Sequence, residues 1–400
     1  MAAEYPSWAR VFFNSMPQHV LIGDGAATEV ATILPQLGIA AGGRLALVVD
    51  RDVARLGLAE RCLRSLLESG FQVETYQDVQ GEPDEEAAER VVGWVRGVGV
   101  RAVIGLGGGS VLDLAKLAAA LAVEEGRVRD YVGQGKVRRP PLPSVLIPTT
   151  AGTGSEATRN VIVSIDGYKA VIASPLLEPT VAVLDPTLTL TLPPSVTAAT
   201  GMDALSHAVE PYMSTFSNAL TEETERAAMR LIAGAVRRAY RNPDDLEARR
   251  EMLFGAFLSG LALNASTLLG HSIAYTIANR THLPHGVTCA MALPYCLAYN
   301  VRAAGWRIAD AARLITGSAE AAPRDLVAWV EATNRELAIP RSLKDVGIAR
   351  SDLAAMAAEC AERYPRPNNP EPLQVAKLER LYHFMWSGDP IAALTWSEAQ

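Results

Sequence analysis

The sequence predicts a two-domain protein, with an α/β domain over residues 1–190 followed by an all-α domain over residues 191–400. The first observation is length, since 400 residues exceed the roughly 100–200 that one domain usually holds. The second is that short β-rich runs alternate with helix-like stretches through about residue 190, as in a parallel sheet flanked by helices. The third is that long helical segments replace the β-rich runs after Leu192-Pro193-Pro194. Because no low-complexity linker is apparent, we expect the domains to abut, with the active site in the cleft between them.

Residue type and spacing predict the individual elements. β-Branched and apolar runs predict strands at residues 44–50, 71–79, 101–106, 144–148, 161–165, 171–174 and 181–185. Apolar residues at helical spacing predict helices at residues 52–69, 85–98 and 111–121 in the first half. In the second half, the predicted helices are residues 221–241, 244–269, 308–316 and 324–337.

Composition and charge exclude several classes of protein. Hydrophobic residues make up 49% of the chain and charged residues 20%, which suits a packed core and not a disordered chain. The chain has 37 basic and 44 acidic residues, a net charge of −7, so it lacks the basic excess of a nucleic-acid-binding protein. The N-terminus lacks the basic start and apolar core of a secretory signal, and we therefore expect a cytoplasmic protein.

Two further features bear on location and redox state. The uncharged run at residues 254–279 carries Ser, Asn, Thr and His, which a bilayer penalises, so we expect no membrane span. The cysteines are too few and too scattered to form a disulfide framework or paired zinc motifs. We interpret them as reduced thiols, with the second and third as packing residues: Cys62, Cys289, Cys296 and Cys360.

Small-residue loops at the ends of predicted strands indicate a nucleotide site. Residues 105–110, Gly-Leu-Gly-Gly-Gly-Ser, lead into a predicted helix, where backbone amides and the helix dipole can hold a diphosphate. The spacing departs from the usual GxGxxG because Ser110 takes the place of the last glycine. A second loop, Pro-Thr-Thr-Ala-Gly-Thr-Gly-Ser-Glu at residues 148–156, follows another strand. Asp50 ends a third strand, where its carboxylate can bind a ribose hydroxyl and repel a 2′-phosphate, favouring NAD over NADP.

Four residues of the second half form a candidate metal site. Asp203 and His207 are four residues apart, which places them on one face of a helix. His271 and His285 supply a third and a fourth ligand, and His282 is a weaker alternative. One carboxylate and three imidazoles suit Fe²⁺ or Zn²⁺, and ligand chemistry alone does not choose between them.

With these residues assembled, the sequence resembles the iron-containing alcohol dehydrogenase family, also called group III, over nearly the whole chain. The motifs occur in the family's order: GGGSVLDLAK ending at Lys116, PTTAGTGSE ending at Glu156, GMDALSH ending at His207, and an interval of 14 from His271 to His285. The resemblance implies an N-terminal Rossmann-like domain for NAD(P) and a helical C-terminal domain. It also implies a small alcohol or aldehyde substrate and a homodimer or larger homo-oligomer.

The resemblance also assigns roles to residues. It implies a catalytic Fe²⁺, with Zn²⁺ as the alternative, held by Asp203, His207, His271 and His285. Its implied cofactor site comprises Asp50, Gly107, Gly108, Gly109, Ser110, Asp113, Thr149, Thr150, Thr153 and Lys169. In that site the glycines, Ser110 and Asp113 surround the diphosphate, and the threonines lie beside the cofactor. Lys169 approaches the ribose, and Asp50 matches a position associated with NAD preference.

Two departures from the family's pattern affect the predicted chemistry. Tyr275 stands four residues after His271, where many relatives carry another histidine near the substrate, and helical spacing keeps it on the face of His271. A tyrosine with a pKa near ~10 donates a hydrogen bond but relays protons less readily than histidine at neutral pH. Glu82 stands where relatives often place Asn, near the adenine side of the cofactor.

These parts predict an NAD(H)- and Fe²⁺-dependent alcohol dehydrogenase or aldehyde reductase, in which the metal polarises the substrate oxygen and hydride passes to or from nicotinamide. A maleylacetate reductase-like enzyme and a zinc polyol dehydrogenase-like enzyme remain alternatives within the same superfamily. A lyase resembling dehydroquinate synthase is a third alternative, separable by net cofactor turnover, and a silent NAD-binding assembly protein is a fourth. The complete ligand set and the 14-residue interval favour the iron-dependent dehydrogenase.

Overall fold

A computed structural model of the chain describes residues 10–79 and 81–400. The chain divides into two compact units by its internal contacts. The sheet unit consists of Asn14–Thr150 and Gly154–Thr191, and the helical unit includes Leu192–Gln400 together with the short segment Ala151–Thr153. The α/β first half and the helical second half agree with the predicted fold class.

The sheet unit alternates strands with helices. Its strands are β1 (His19–Ile22), β2 (Arg44–Asp50), β3 (Gln72–Val79), β4 (Ala102–Gly107), β5 (Gly133–Gln134), β6 (Ser144–Pro148), β7 (Asn160–Ile165), β8 (Tyr168–Ala173) and β9 (Val181–Leu184). Its α-helices are α1 (Val30–Ile33), α2 (Arg51–Arg55), α3 (Glu60–Glu68), α4 (Glu85–Val98) and α5 (Gly109–Leu121). A six-stranded parallel sheet has the order β1-β9-β6-β4-β2-β3, and a smaller sheet has the order β5-β8-β7.

The large sheet is buried on both faces. In β2, Leu45, Leu47 and Val49 point into one apolar core. Ala46 and Val48 point into the other core, which also contains buried residues of α4 and α5. Burial on both faces explains why the central strands appear in the sequence as nearly continuous apolar runs.

The chain order of the strands reverses between β2 and β4. After β2 the chain adds β3 on the outer side, and β4 then pairs with the opposite side of β2. Because β2, β4 and β6 are parallel neighbours, the loops that follow them lie at one edge of the sheet. Such a switch point is where open α/β sheets bind their ligands.

The helical unit contains α6 (Pro194–Met213), α7 (Ala219–Arg241), α8 (Leu246–Ala262), α9 (Leu269–Thr281), α10 (His285–Thr316), α11 (Pro323–Glu336), α12 (Leu353–Arg363), α13 (Val375–Ser387) and α14 (Pro390–Glu398). Helix α6 packs against α7, α8 and α10, and almost all of its residues are buried. Within the described ranges, no single helix is both long and apolar enough to cross a membrane. One pair, Leu246–Ala265 with Leu269–Thr281, passes jointly by length and composition but is bent by 105° at its break.

Several predicted boundaries are wrong, each for a local reason. The predicted helix at residues 52–69 is two helices, α2 and α3, because the chain turns at Gly57 with φ of 70°. The predicted helix at residues 244–269 ends at Ala262, and a turn with Ser266 at φ of 63° leads into α9. The predicted helix at residues 308–316 is the last part of α10, which has a non-helical residue at Ala304.

Candidate functional site

The loops predicted to bind the cofactor lie side by side at the edge of the sheet. Gly107, the last residue of β4, is in register with Pro148, the last residue of β6. The backbone N–H of Thr149 donates to the carbonyl of Gly107 at 2.9 Å, which joins the two loops. Gly108 precedes the first residue of α5. The backbone N–H groups of the first turn of α5 have no partner within the helix and point out of its N-terminal end. This edge has the geometry and dipole of an anion site.

Asp50 lies at the end of β2, next to this glycine-rich turn. Its Oδ1 accepts a hydrogen bond from the backbone N–H of Val53 at 2.7 Å and caps α2. Burial raises the pKa of the Asp50 carboxyl, while hydrogen bonds from the backbone of Val53 and Gly108 partly offset this effect. Because a carboxylate offers about four lone-pair sites, Asp50 retains capacity for a ribose hydroxyl.

Asp113, predicted near the diphosphate, supports the second loop. Its carboxylate accepts hydrogen bonds from the Ser155 hydroxyl and from the backbone N–H of Ile162, the latter at 2.8 Å. Lys116, fully buried, donates to the carbonyls of Ser155 and Thr158, each at 2.9 Å. The GGGSVLDLAK motif therefore contributes a buried acid and a buried base that hold the loop at residues 149–158.

The remaining predicted cofactor residues occupy three places. Thr150 lies against Gly108, at the turn itself. Thr153 belongs to the short segment that is part of the helical unit. Lys169 lies on β8, where its ammonium forms an ion pair with Glu82. The residue predicted to approach the ribose therefore contacts the residue predicted to lie near the adenine side.

The four predicted metal ligands come together inside the helical unit. Oδ1 of Asp203 lies 3.8 Å from Nε2 of His207 and 3.8 Å from Nε2 of His285. Nε2 of His271 lies 2.9 Å from Nε2 of His207. These separations match those of donor atoms that are each about 2.1 Å from one ion, which are roughly 3 to 4 Å apart. Oδ1 of Asp203 is buried, and it has no hydrogen-bond partner among the described residues.

Two glycines allow the ligand-bearing helices to approach α6 closely. A Cβ at Gly270 would lie 2.5 Å from Oε1 of Glu210 on α6. A Cβ at Gly286 would lie 2.1 Å from the carbonyl oxygen of Ala199, also on α6. The residues next to these glycines are His271 and His285, so the close approach brings both imidazoles to the cluster.

Glu210 holds His271 in place, a role that the sequence analysis missed. Its Oε1 is 2.8 Å from Nδ1 of His271, and its Oε2 accepts the backbone N–H of Leu268 at 2.7 Å. Burial raises the pKa of Glu210, but the charge of His271 and these hydrogen bonds outweigh it and keep the pKa below its usual value. A carboxylate at Nδ1 keeps the proton there and leaves Nε2 as the free donor atom. Spacing was the available signal, since Glu210 lies one helical turn after His207.

The surroundings of the cluster favour an ionised Asp203 and a neutral His207. Burial raises the pKa of Asp203, but the combined effect of the neighbouring His207, His285 and His271 is larger and opposite. The pKa of Asp203 therefore lies below its usual value. Burial lowers the pKa of His207, and the nearby Asp203 carboxylate only partly offsets the effect. A metal requires both groups deprotonated, so these shifts suit metal binding.

The other candidate residues differ in whether they lie at the metal cluster or outside it. The ring of Tyr275 stacks on His285 with centroids 5.5 Å apart, and burial raises its pKa to about 12. The guanidinium of Arg366 lies against the Tyr275 ring at 5.9 Å, a neighbour that the sequence analysis did not identify. His282 is exposed at the end of α9 and lies outside the cluster. Cys289, interpreted from sequence as a packing residue, instead has its donor atom within the cluster.

Two family models match the chain, one for each half. A model described as iron-containing alcohol dehydrogenase matches residues 17–186. A model described as Fe-containing alcohol dehydrogenase family, C-terminal, matches residues 197–386. Long-chain-alcohol dehydrogenase 1 of Geobacillus thermodenitrificans is 35% identical to this chain over 397 residues, which cover 96% of this chain and 98% of that protein.

Solved structures show the same fold. A 1,3-propanediol oxidoreductase is 30% identical with a TM-score of 0.89, covering 94% of this chain and 99% of its own. The sulfoacetaldehyde reductase from Bifidobacterium kashiwanohense, solved in complex with NAD⁺, is 27% identical with a TM-score of 0.87. The second match covers 95% of this chain and 100% of that structure.

Proposed function

Because this chain belongs to the iron-containing alcohol dehydrogenase family, we propose that it transfers hydride between NAD(H) and a small alcohol, aldehyde or ketone, with Fe²⁺ as its metal. The family makes the chain a metal-dependent oxidoreductase that uses a nicotinamide cofactor. The observation that carries the proposal is the buried Oδ1 of Asp203, which has no hydrogen-bond partner among the described residues and faces two imidazole nitrogens at 3.8 Å.

The metal would be held by Asp203, His207, His271 and His285. One carboxylate and three neutral imidazoles leave a divalent ion with a net charge near +1, and this donor set accepts Fe²⁺. Zn²⁺ is the competing ion, because it binds such ligands more tightly on the usual affinity order. The family's description supports Fe²⁺ over Zn²⁺.

The cofactor would lie along the edge formed by the loops after β2, β4 and β6. The amides at Gly108, Gly109 and Ser110 would bind the diphosphate, with Thr149 and Thr150 beside it and Asp113 holding their loop. We propose NAD over NADP, because the Asp50 carboxylate would repel a 2′-phosphate. Lys169 would complete the cofactor site from β8, and Thr153 stays a predicted cofactor residue.

A bound metal would supply Lewis-acid polarisation of the substrate oxygen, and the nicotinamide would supply or accept the hydride. Glu210 holds the Nδ1 proton of His271, which keeps the opposite nitrogen unprotonated. With its pKa raised to about 12, Tyr275 stays protonated at neutral pH and can donate its hydroxyl proton as a hydrogen bond to the substrate oxygen. Tyr275→Phe should lower kcat about tenfold or more. An unchanged kcat and pH profile would remove Tyr275 from the mechanism.

The relatives act on alcohols and aldehydes of different size and charge, by their names: long-chain alcohols, 1,3-propanediol and sulfoacetaldehyde. We propose a short aldehyde or primary alcohol for this chain, because the ring of Tyr275 stacks on His285 and packs 5.1 Å from the ring of Tyr364, which takes up space beside the histidines. A homodimer or larger homo-oligomer, implied by the family resemblance, stays a prediction.

The test is NADH oxidation by metal-stripped protein reloaded anaerobically with Fe²⁺, against a panel of short aldehydes and ketones. His271→Ala should abolish the activity, whereas His282→Asn, a change at an exposed histidine outside the cluster, should retain it. Absence of net NADH oxidation, despite bound metal and cofactor, would contradict the proposal and favour the lyase alternative. NADPH in place of NADH tests the role of Asp50 in the same assay.

A further inference from the structure

The thiol of Cys289 lies among the proposed metal ligands. Cys289 follows His285 by one turn of α10, and its Sγ is 3.4 Å from Nε2 of His285. The donor atoms of Asp203, His271, His285 and Cys289 all lie within 4.8 Å of one another. The side chain is buried, at 1% exposure, so the sulfur faces the cluster and not solvent.

A second observation points to a ligand at this position. Oδ1 of Asp203, buried and without a hydrogen-bond partner among residues 10–79 and 81–400, belongs to the same group of donor atoms as the Cys289 sulfur. A buried, unpaired carboxylate oxygen is costly unless a cation compensates it. The other thiol of α10, Cys296, lies two turns further along and contacts Asn300, not the cluster.

We propose that Cys289 contributes its sulfur as an additional ligand of the metal held by Asp203, His207, His271 and His285. The inference rests on the proposed function, because it concerns the same metal. On binding, the thiol gives its proton to solvent and a metal–sulfur bond forms, with no change in oxidation state. The thiolate lowers the net charge of the site from near +1 to near zero.

The sulfur has a consequence for metal choice. Thiolate is a soft donor that favours Zn²⁺, Co²⁺ and Fe²⁺ over Mn²⁺ and Mg²⁺, which prefer oxygen ligands. The preference of the protein for Zn²⁺ over Mn²⁺ should therefore fall about tenfold or more when Cys289 is replaced by serine. A cysteine that merely packs would leave this ratio unchanged.

The experiment is X-ray absorption at the metal edge, with absorption spectra of the Co²⁺-loaded full-length protein, prepared without oxygen. Wild type should show one sulfur neighbour at about 2.3 Å and a sulfur-to-cobalt charge-transfer band. Both signals should be lost in Cys289→Ser and Cys289→Ala. They should be kept in Cys296→Ser, a matched change at a buried thiol of the same helix.

The outcomes separate this inference from the proposed function. Wild-type protein that binds one metal with only nitrogen and oxygen neighbours would overturn the role of Cys289 and leave the proposed function intact. Wild-type protein that binds no metal would overturn both. A sulfur signal that persists in both Cys289 variants would overturn the assignment as well, because another sulfur would then be the ligand.

Discussion

Glu210→Gln tests how much the metal site depends on the orientation of one ligand. In the wild type, the two carboxylate oxygens of Glu210 accept from Nδ1 of His271 at 2.8 Å and from the backbone N–H of Leu268 at 2.7 Å. Glutamine has almost the same shape but offers only one acceptor oxygen. Its amide N–H₂ must then face either the Leu268 N–H or the imidazole nitrogen.

The size of the effect follows from these two arrangements. If the amide faces Leu268, two donors oppose each other in a buried place, which costs about 1–3 kcal/mol. If the amide faces His271, it donates to Nδ1 and moves the ring proton to Nε2, the nitrogen that faces the cluster. A protonated Nε2 cannot bind the metal, so the free energy of metal binding weakens by a similar amount. Since each 1.4 kcal/mol is tenfold, metal affinity should fall by roughly 5- to 150-fold. Losses of 10- to 100-fold are typical when partners of metal-binding histidines are changed.

The assay is anaerobic competition of the protein with a chelator of known affinity, which gives Kd for Fe²⁺ or Zn²⁺. Glu225→Gln is the matched control. Its carboxyl is also fully buried in the helical unit, and burial raises its pKa well above the usual value, so glutamine resembles the protonated acid. A Glu210→Gln protein with metal affinity within about twofold of wild type, or an equal loss in Glu225→Gln, would refute the tautomer argument.

Three further predictions address packing, pH and the cofactor. Gly270→Ala should lower both Tm and metal affinity, because its Cβ would lie 2.5 Å from a carboxylate oxygen, whereas Gly234→Ala, with open space around it, should lower neither. Burial raises the pKa of Glu156 to about 7, so its stabilising contribution is present below about pH 4.5 and is lost as pH rises through 7. The free energy of unfolding should therefore decrease between pH 5 and pH 8, and in Glu156→Gln this decrease should be smaller by about 2 kcal/mol. Urea titrations that show the same decrease in both proteins would contradict this. Glu82→Asn should free the ammonium of Lys169 and lower KM for NAD⁺ about threefold at unchanged kcat; an unchanged KM would place this ion pair outside the cofactor site.

The central sheet could be predicted from the sequence because its chemistry is local. Strands such as β2 and β4 are apolar on both faces, and turn residues bound them. β1 was missed because it pairs with β9 through its backbone while most of its side chains are exposed, so it has no apolar run to recognise. The break between α2 and α3 depends on the backbone conformation of Gly57, which composition does not specify.

In the candidate metal site, too, helical spacing predicts some roles, whereas others depend on tertiary contacts. Asp203 and His207 share a helical face, which spacing alone predicts. Glu210 shares that face too, but its role depends on His271, which lies 61 residues away along the chain. Cys289 lies one turn from His285, yet whether such a thiol packs or faces a ligand depends on how closely α10 approaches α6. That distance is decided by tertiary packing, which a single sequence does not reveal.

The segment Ala151–Thr153 limits how freely the two units can be exchanged between relatives. These residues lie within the stretch that builds the sheet unit, but they belong to the helical unit, where a Cβ at Gly152 would lie 2.7 Å from the side chain of Thr200. During synthesis on the ribosome, the segment emerges before the helix that it packs against, so it stays without its partner until α6 is made. A chimera joined at residue 191 would inherit this segment from one parent and its packing partner from the other. A chimera that keeps this packing must therefore take Gly152 and Thr200 from the same parent.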